Sequence, residues 1–252
     1  MFAIWQLPLF FATGLVAGFV DSIAGGGGLI TVPVLLHCGL GPQLALGTNK
    51  LQASFGSGSA TWHYARAGLV NWTECRRGVV LTFAGALLGA LTVQHLDPAL
   101  LKRFIPVLLL AVAVYLFFKP ALGERDVPPR LPRGGFDALF GLGIGFYDGF
   151  FGPGTGTFWA MAFVLGLGFH LTKATAQTKA MNFASNVAAL TVFLAAGQVN
   201  FVAGLVMGAG QWLGARLGAR LVVKRGVRLI RPLFLTVVVA LTLKLLYAAY
   251  AN

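Results

Sequence analysis

The stretch "DSIAGGGGLITVPVLL", Asp21 to Leu36, sets an acid and four consecutive glycines inside an otherwise apolar run. One glycine in a helix interior costs roughly 1 kcal/mol relative to alanine, so four together predict a break. The rest of the chain makes that break unusual. Of its 252 residues 57% are hydrophobic and only 10% charged, against about 25% charged in an ordinary soluble domain. Mean hydropathy is +0.80, and apolar runs of about 20 residues, long enough for a hydrocarbon core of about 30 Å, recur along the sequence. This composition predicts an all-α polytopic membrane protein. The opening segment "MFAIWQLPLFFATGLVAGFV" lacks the basic region of a cleaved signal and is expected to be a retained first helix.

A second stretch, "DGFFGPGTGTFWAMAF", Asp148 to Phe163, repeats the pattern 127 residues later. The same shift superposes Gly14 on Gly141, Gly18 on Gly145, Gly25 on Gly152 and Gly27 on Gly154. After a slip of two residues Ala45 meets Ala174, Lys50 meets Lys179 and "GLVNW" meets "GQVNF". Asp, Lys and Val-Asn matching in one order carry the repeat, because glycine matches are cheap in a chain with 34 of them. Each half reads as five apolar elements, near 3–20, 24–39, 42–66, 77–95 and 100–118, then 134–150, 153–170, 172–196, 200–219 and 229–250. The expected organisation is repeat one over 1–118, a Pro-rich cytoplasmic linker over 119–134 and repeat two over 135–252, in one integral membrane unit.

The formal charge of +12 does not point to nucleic acid, because the basic residues lie between apolar segments as cytoplasmic loops do. If every element crosses, one side receives Arg66, Arg76, Arg77, Lys119, Arg125, Arg130, Arg133 and the run from Arg220 to Arg231, and the other little beyond Lys102 and Arg103. That bias favours ten crossings with both termini outside the cytoplasm. Five crossings per repeat then require the second half to be inverted relative to the first. The second element of each repeat is a glycine-broken helix, discontinuous or re-entrant. Cys38 and Cys75 are too few for a disulfide framework, and no cysteine–histidine cluster has metal spacing, so no metal or cofactor is expected.

Non-helical backbone at membrane depth is tolerated where it is buried in protein or lines a cavity, and inverted repeats with broken helices are a usual construction of secondary transporters. The glycines Gly25, Gly26, Gly27, Gly28 and Gly152, Gly154, Gly156 each precede a helix start, whose free N–H groups and positive dipole end favour an anion. Lys50 lies about 12 Å along its element from Pro42, and Lys179 is similarly deep, so each should face the interior. Ser54 and Ser57 follow Lys50, and Asn182 and Asn186 follow Lys179, on the same faces. Asp21 and Asp148 can accept a coupling proton, pair with the lysines or cap the broken helices; the sequence does not choose. An intramembrane hydrolase using these two carboxylates is a competing reading, and a passive anion channel is another.

"GFVDSIAGGGGLITVP", "ALGTNKLQASFGS", "ARAGLVNW", "GFYDGFFGPGTGTFW" and "KATAQTKAMNFASN" together resemble the TauE/SafE family, the sulfite exporter or toluene sulfonate uptake permeases. The resemblance covers almost the whole chain. It implies a carrier, not an enzyme, for sulfur-containing anions such as sulfite or organosulfonates in the bacterial cytoplasmic (inner) membrane. Carried over by position, it adds Thr48, Asn49, Thr178 and Asn182 to the glycines and lysines as substrate-binding residues. Expected partners are a small anionic substrate and membrane lipid, and the glycine-faced helices allow a homodimer without demanding one.

Overall fold

Away from water the backbone must satisfy its own polar groups, and here it does so in helices. The computed structural model describes residues 5–118 and 125–225, and among them are nine helices and no strand. In chain order they are α1 (Gln6–Ala24), α2 (Gly28–His37), α3 (Pro42–Arg66), α4 (Trp72–Gln94), α5 (Pro98–Phe118), α6 (Arg133–Phe150), α7 (Thr155–Leu167), α8 (Leu171–Ala195) and α9 (Phe201–Arg225). The tenth expected element, 229–250, lies outside the described residues.

Several boundaries move, each for a local reason. α1 runs past its expected end to Ala24 and α6 ends at Phe150 as expected, so Asp21 and Asp148 both sit in the last turn of a helix. The Gly25 N–H donates to the Asp21 carbonyl at 2.9 Å, and the Phe151 N–H to the Tyr147 carbonyl at 2.9 Å. α2 has 10 residues and α7 has 13, about 15 and 20 Å long, so neither alone spans a core of about 30 Å. α4 starts at Trp72, ahead of the expected 77, because the Asn71 side chain accepts from the N–H groups of Thr73 and Glu74. Asn200 does the same before α9, accepting from the Ala203 N–H at 3.0 Å. Ahead of each asparagine, Gly68 and Gly197 take φ of 73° and 66° and end α3 and α8, with Leu69 and Gln198 donating back to the Tyr64 and Phe193 carbonyls. The matched "GLVN" and "GQVN" are thus a stop followed by a start.

Glycines set the helix contacts. A methyl group at Gly14 would strike the Met207 carbonyl, and one at Gly18 that of Gln211; Gly210, Gly214 and Gly218 press on Phe11, Leu15 and Phe19 in turn. These contacts rise in step along both helices, so α1 and α9 run parallel with backbones touching. α4 and α6 do likewise, through Gly85 on Leu142, Gly89 on Phe146, Gly145 on Thr82 and Gly149 on Ala86.

The molecule is apolar outside and polar within. Val80, Leu88, Leu139, Phe201 and Leu217 are exposed, whereas Lys50, Lys179, Gln52, Gln177 and Ser185 are buried. Among the described helices α1 and α4 are long and apolar enough to cross a bilayer by composition. The linker returns to α7: Val127 and Arg130 donate to the carbonyls of Gly168 and Gly166, and Phe136 packs on Phe163 with centroids 5.3 Å apart.

Candidate functional site

The two chain breaks meet. Gly25 has φ of 77°, and a side chain there would lie 2.6 Å from the backbone of Gly156 and Thr157. Only glycine allows both that left-handed angle and that approach. Thr157 Oγ1 fastens the contact by donating to the Ala24 carbonyl at 2.7 Å. Gly152, with φ of 96°, leaves room for the Lys50 ammonium, which a Cβ would approach to 2.6 Å.

Around these breaks four charges pair crosswise. Lys50 Nζ, from α3, donates to Asp148 Oδ1, at the end of α6, at 2.7 Å. Lys179 Nζ, from α8, donates to Asp21 Oδ2, at the end of α1, at 3.0 Å. Each acid thus meets the lysine of the other half of the chain. Both lysines are almost wholly buried, at 1% and 0% exposure, so each requires its carboxylate. Removing one partner of a buried pair typically costs about 3–5 kcal/mol.

The pairs differ in their surroundings. Asp148 is enclosed: Lys50 also donates to its backbone carbonyl, and Ser185 Oγ donates to Oδ2. Its side chain is 4% exposed, against 18% for Asp21. Asp21 Oδ1 accepts the Gly27 N–H at 3.0 Å, so Asp21 caps the break it precedes.

Between the pairs lies a cavity of about 30 Å³, room for roughly two water molecules. The first half contributes Asp21, Gly26, Gly28, Asn49 and Ala53 to its wall, and the second Asp148, Gly152, Thr155, Gly156, Asn182 and Asn186. Gln211 of α9 completes it. Asn49 Oδ1 accepts from Thr31 Oγ1 at 2.6 Å and from Gln52 Nε2 at 2.7 Å. Asn182 Oδ1 is buried without a hydrogen-bond partner among the described residues. Such a wall offers backbone N–H groups at two helix starts, side-chain amides and two carboxylates, donors and acceptors together.

Of the residues singled out from the sequence, Gly26, Gly28, Asn49, Gly152, Gly156, Asn182, Asp21 and Asp148 border the cavity. Lys50 and Lys179 stand behind the carboxylates, and Gly25 is spent in the contact between breaks. Gly27 supplies its N–H to Asp21, while Gly154 faces Val112 of α5. Thr48 donates to the Leu44 carbonyl and accepts the Asn200 N–H at 2.9 Å, tying α3 to α9. Thr178 bonds the Ala174 carbonyl within α8. Gln211 and Ser185 were not anticipated. Ser185 lies three residues after Asn182, on the face already marked; Gln211 stands among glycines and alanines with no repeat partner to mark it.

The chain matches the family model described as "Sulfite exporter TauE/SafE" over residues 10–245. It is 44% identical over 246 residues to "Probable membrane transporter protein YfcA" of Escherichia coli K12, covering 98% of this chain and 91% of that one. It is 48% identical to "Probable membrane transporter protein ORF9" of Sinorhizobium sp, over 95% of this chain and 92% of that one. A "Probable membrane transporter protein" of Haemophilus influenzae is 46% identical, over 96% and 94% of the two chains.

Proposed function

Because this chain belongs to the TauE/SafE family of membrane transporters, we propose that it is a secondary carrier of a small sulfur-containing anion, of the sulfite or organosulfonate class. It works as a multi-pass protein of the bacterial cytoplasmic membrane, with both termini outside the cytoplasm. Two inverted repeats of five elements hold the anion between the starts of α2 and α7 and the lysine-bearing helices α3 and α8. The parallel pairing of α1 with α9, matched by that of α6 with α4, supports the repeat. The short α2 and α7, each behind a glycine break, support the view of broken helices.

One observation carries the mechanism: each deep lysine is neutralised by a carboxylate from the other half. An anion arriving from water must compete with that carboxylate for the ammonium. A proton taken up by the acid removes the competitor, and the anion takes its place on the lysine. The local charge is zero before and after, so one proton accompanies each negative charge carried. Asp21 and Asp148 are then the proton-coupling groups, with Asp21 the exchanging one because it is the more open to the cavity. The substrate oxygens lie against Gly26, Gly28, Asn49 and Lys50 on one side and Gly152, Gly156, Lys179 and Asn182 on the other. Each carboxylate is bonded to a lysine, and not to the other carboxylate, which leaves the proton-sharing acid pair of a hydrolase without support.

The test is flux of radiolabelled sulfite and sulfoacetate into proteoliposomes, with and without an imposed pH gradient. Saturable, gradient-driven uptake that Lys50→Ala and Lys179→Ala abolish is the expected result. A flux that stays linear in concentration and ignores the pH gradient would identify a channel. Undiminished carriage by both lysine variants would remove the site.

A further inference from the structure

Helices α3 and α9 lie side by side in a fixed register that extends well beyond the central cavity. Leu51 packs on Gly204, Phe55 on Gly208, and Ser59 Oγ donates to the Trp212 carbonyl at 3.0 Å. Each contact advances four residues on both helices. The next two steps set His63 beside Arg216 and Ala67, next to Arg66, beside Arg220. Electrostatics agree, since the guanidiniums of Arg66, Arg216 and Arg220 all act on the His63 ring.

Among the described residues nothing acidic pairs with this group: none of the ion pairs includes any of these three arginines. Arg66 and Arg220 are exposed, while Arg216 is half-buried and its Nε is enclosed without a hydrogen-bond partner among the described residues. A tryptophan flanks the group on each helix: the Arg66 guanidinium lies 5.9 Å from the Trp62 ring and that of Arg216 lies 5.8 Å from Trp212. Both rings are substantially exposed, at 64% and 43%. Exposed tryptophan beside arginine belongs at a membrane–water interface, where an indole sits at headgroup level.

We propose that the α3–α9 groove at this end is a binding site for the phosphodiester of an anionic phospholipid. Like charges held together without an acid are unfavourable unless an anion joins them, and a bilayer surface supplies one at high local concentration. The forked guanidiniums present paired N–H donors to phosphate oxygens, and the Arg216 Nε–H has no acceptor among the described residues. The two indoles face the glycerol and upper acyl chain. Nothing in this assignment depends on the transported anion, because the site uses none of the residues around the central cavity.

The experiment is native mass spectrometry of the purified protein with phosphatidylglycerol, phosphatidylcholine or inorganic phosphate. It compares wild type with R216Q/R220Q, and with R76Q/R77Q as a charge-matched control at the same end. Wild type and the control should retain phosphatidylglycerol over phosphatidylcholine, and R216Q/R220Q should lose that retention by roughly tenfold or more. R220Q alone changes an exposed side chain and serves if the double variant fails to fold; a partial loss is expected from it. Equal retention by all variants would overturn the site. Equal occupancy by inorganic phosphate would overturn the lipid assignment in favour of a free anion.

Discussion

Asp21 and Asp148 occupy matching places in the sequence and unequal places in the molecule. Asp148 is held by Lys50 and Ser185 with 4% of its side chain exposed, so Asp148→Asn leaves Lys50 buried and unmatched. That variant should lose about 3–5 kcal/mol of stability and give little folded protein, read as yield of monodisperse material. Asp21→Asn also takes the carboxylate from Lys179, but it retains an amide oxygen for the Gly27 N–H and borders the cavity, where a bound anion can neutralise that lysine. It should cost less stability than Asp148→Asn and still bind the anion. Its transport should no longer respond to a pH gradient; a response equal to wild type would return the coupling role to Asp148. The sequence located all four charges, because an acid before glycines and a lysine deep in an apolar element stand out. It could not say that each acid meets the other half's lysine. That pairing depends on how α1 and α6 lie against α8 and α3, and no local pattern encodes it. Thr48 and Thr178 illustrate the same limit: both flank functional positions in the chain, yet their hydroxyls serve helix backbone.

At the scale of helices, the molecule is built from backbone-to-backbone contacts that admit no side chain. Gly214 abuts the Leu15 carbonyl and the Phe19 amide, and Gly18 abuts Gln211 from the other helix. Gly214→Leu would force α1 off α9. It should cost about 3 kcal/mol or more, seen as aggregation during purification, whereas the same change at Gly143, with open space around it, should be nearly silent. Helix positions were legible because apolar runs and glycine breaks announce them, and α3 spans the range its sequence suggested. Starts set by a single side chain were not, as Asn71 drawing α4 back to Trp72 shows. The "VN" pair read as a mark of repetition turned out to be a pair of helix caps, so it repeats because the same corner is built twice. Which glycines break helices and which pack them could not be told from spelling; Gly25 and Gly152 combine a left-handed angle with a close approach to the other half of the chain, whereas Gly14 and Gly18 only pack.

For the molecule as a whole, the linker is fastened to the start of α8 by Asp126, which accepts the His170 N–H at 2.6 Å and lies 2.9 Å from the ring Nδ1. The backbone donor, more than the ring, holds the Asp126 carboxyl below its ordinary range. A depressed carboxylate contributes stability that is present above its unfolded pKa, about 3.9, and lost as pH falls through the lower folded value. Wild type should therefore outlast Asp126→Asn by a small margin at neutral pH. Thermal midpoints of the two should converge below the ordinary carboxylate range, and a gap that persisted there would contradict the assignment.

The crossed pairs also set a timetable. Asp148 lies 98 residues beyond Lys50, and Lys179 lies 158 beyond Asp21. At roughly 5–20 residues per second, the ribosome needs roughly 5 to 30 s to supply the missing partners. During that interval an unmatched lysine near the bilayer centre costs about 3 kcal/mol. Of the four central charges the newly made first half carries one acid, Asp21, and one base, Lys50, and their final partners arrive only with the second half. A first half that pairs Asp21 with Lys50 in the meantime must exchange those partners when the second half arrives, and a pause in synthesis between residues 50 and 148 should prolong the stage at which Lys50 lacks its final partner.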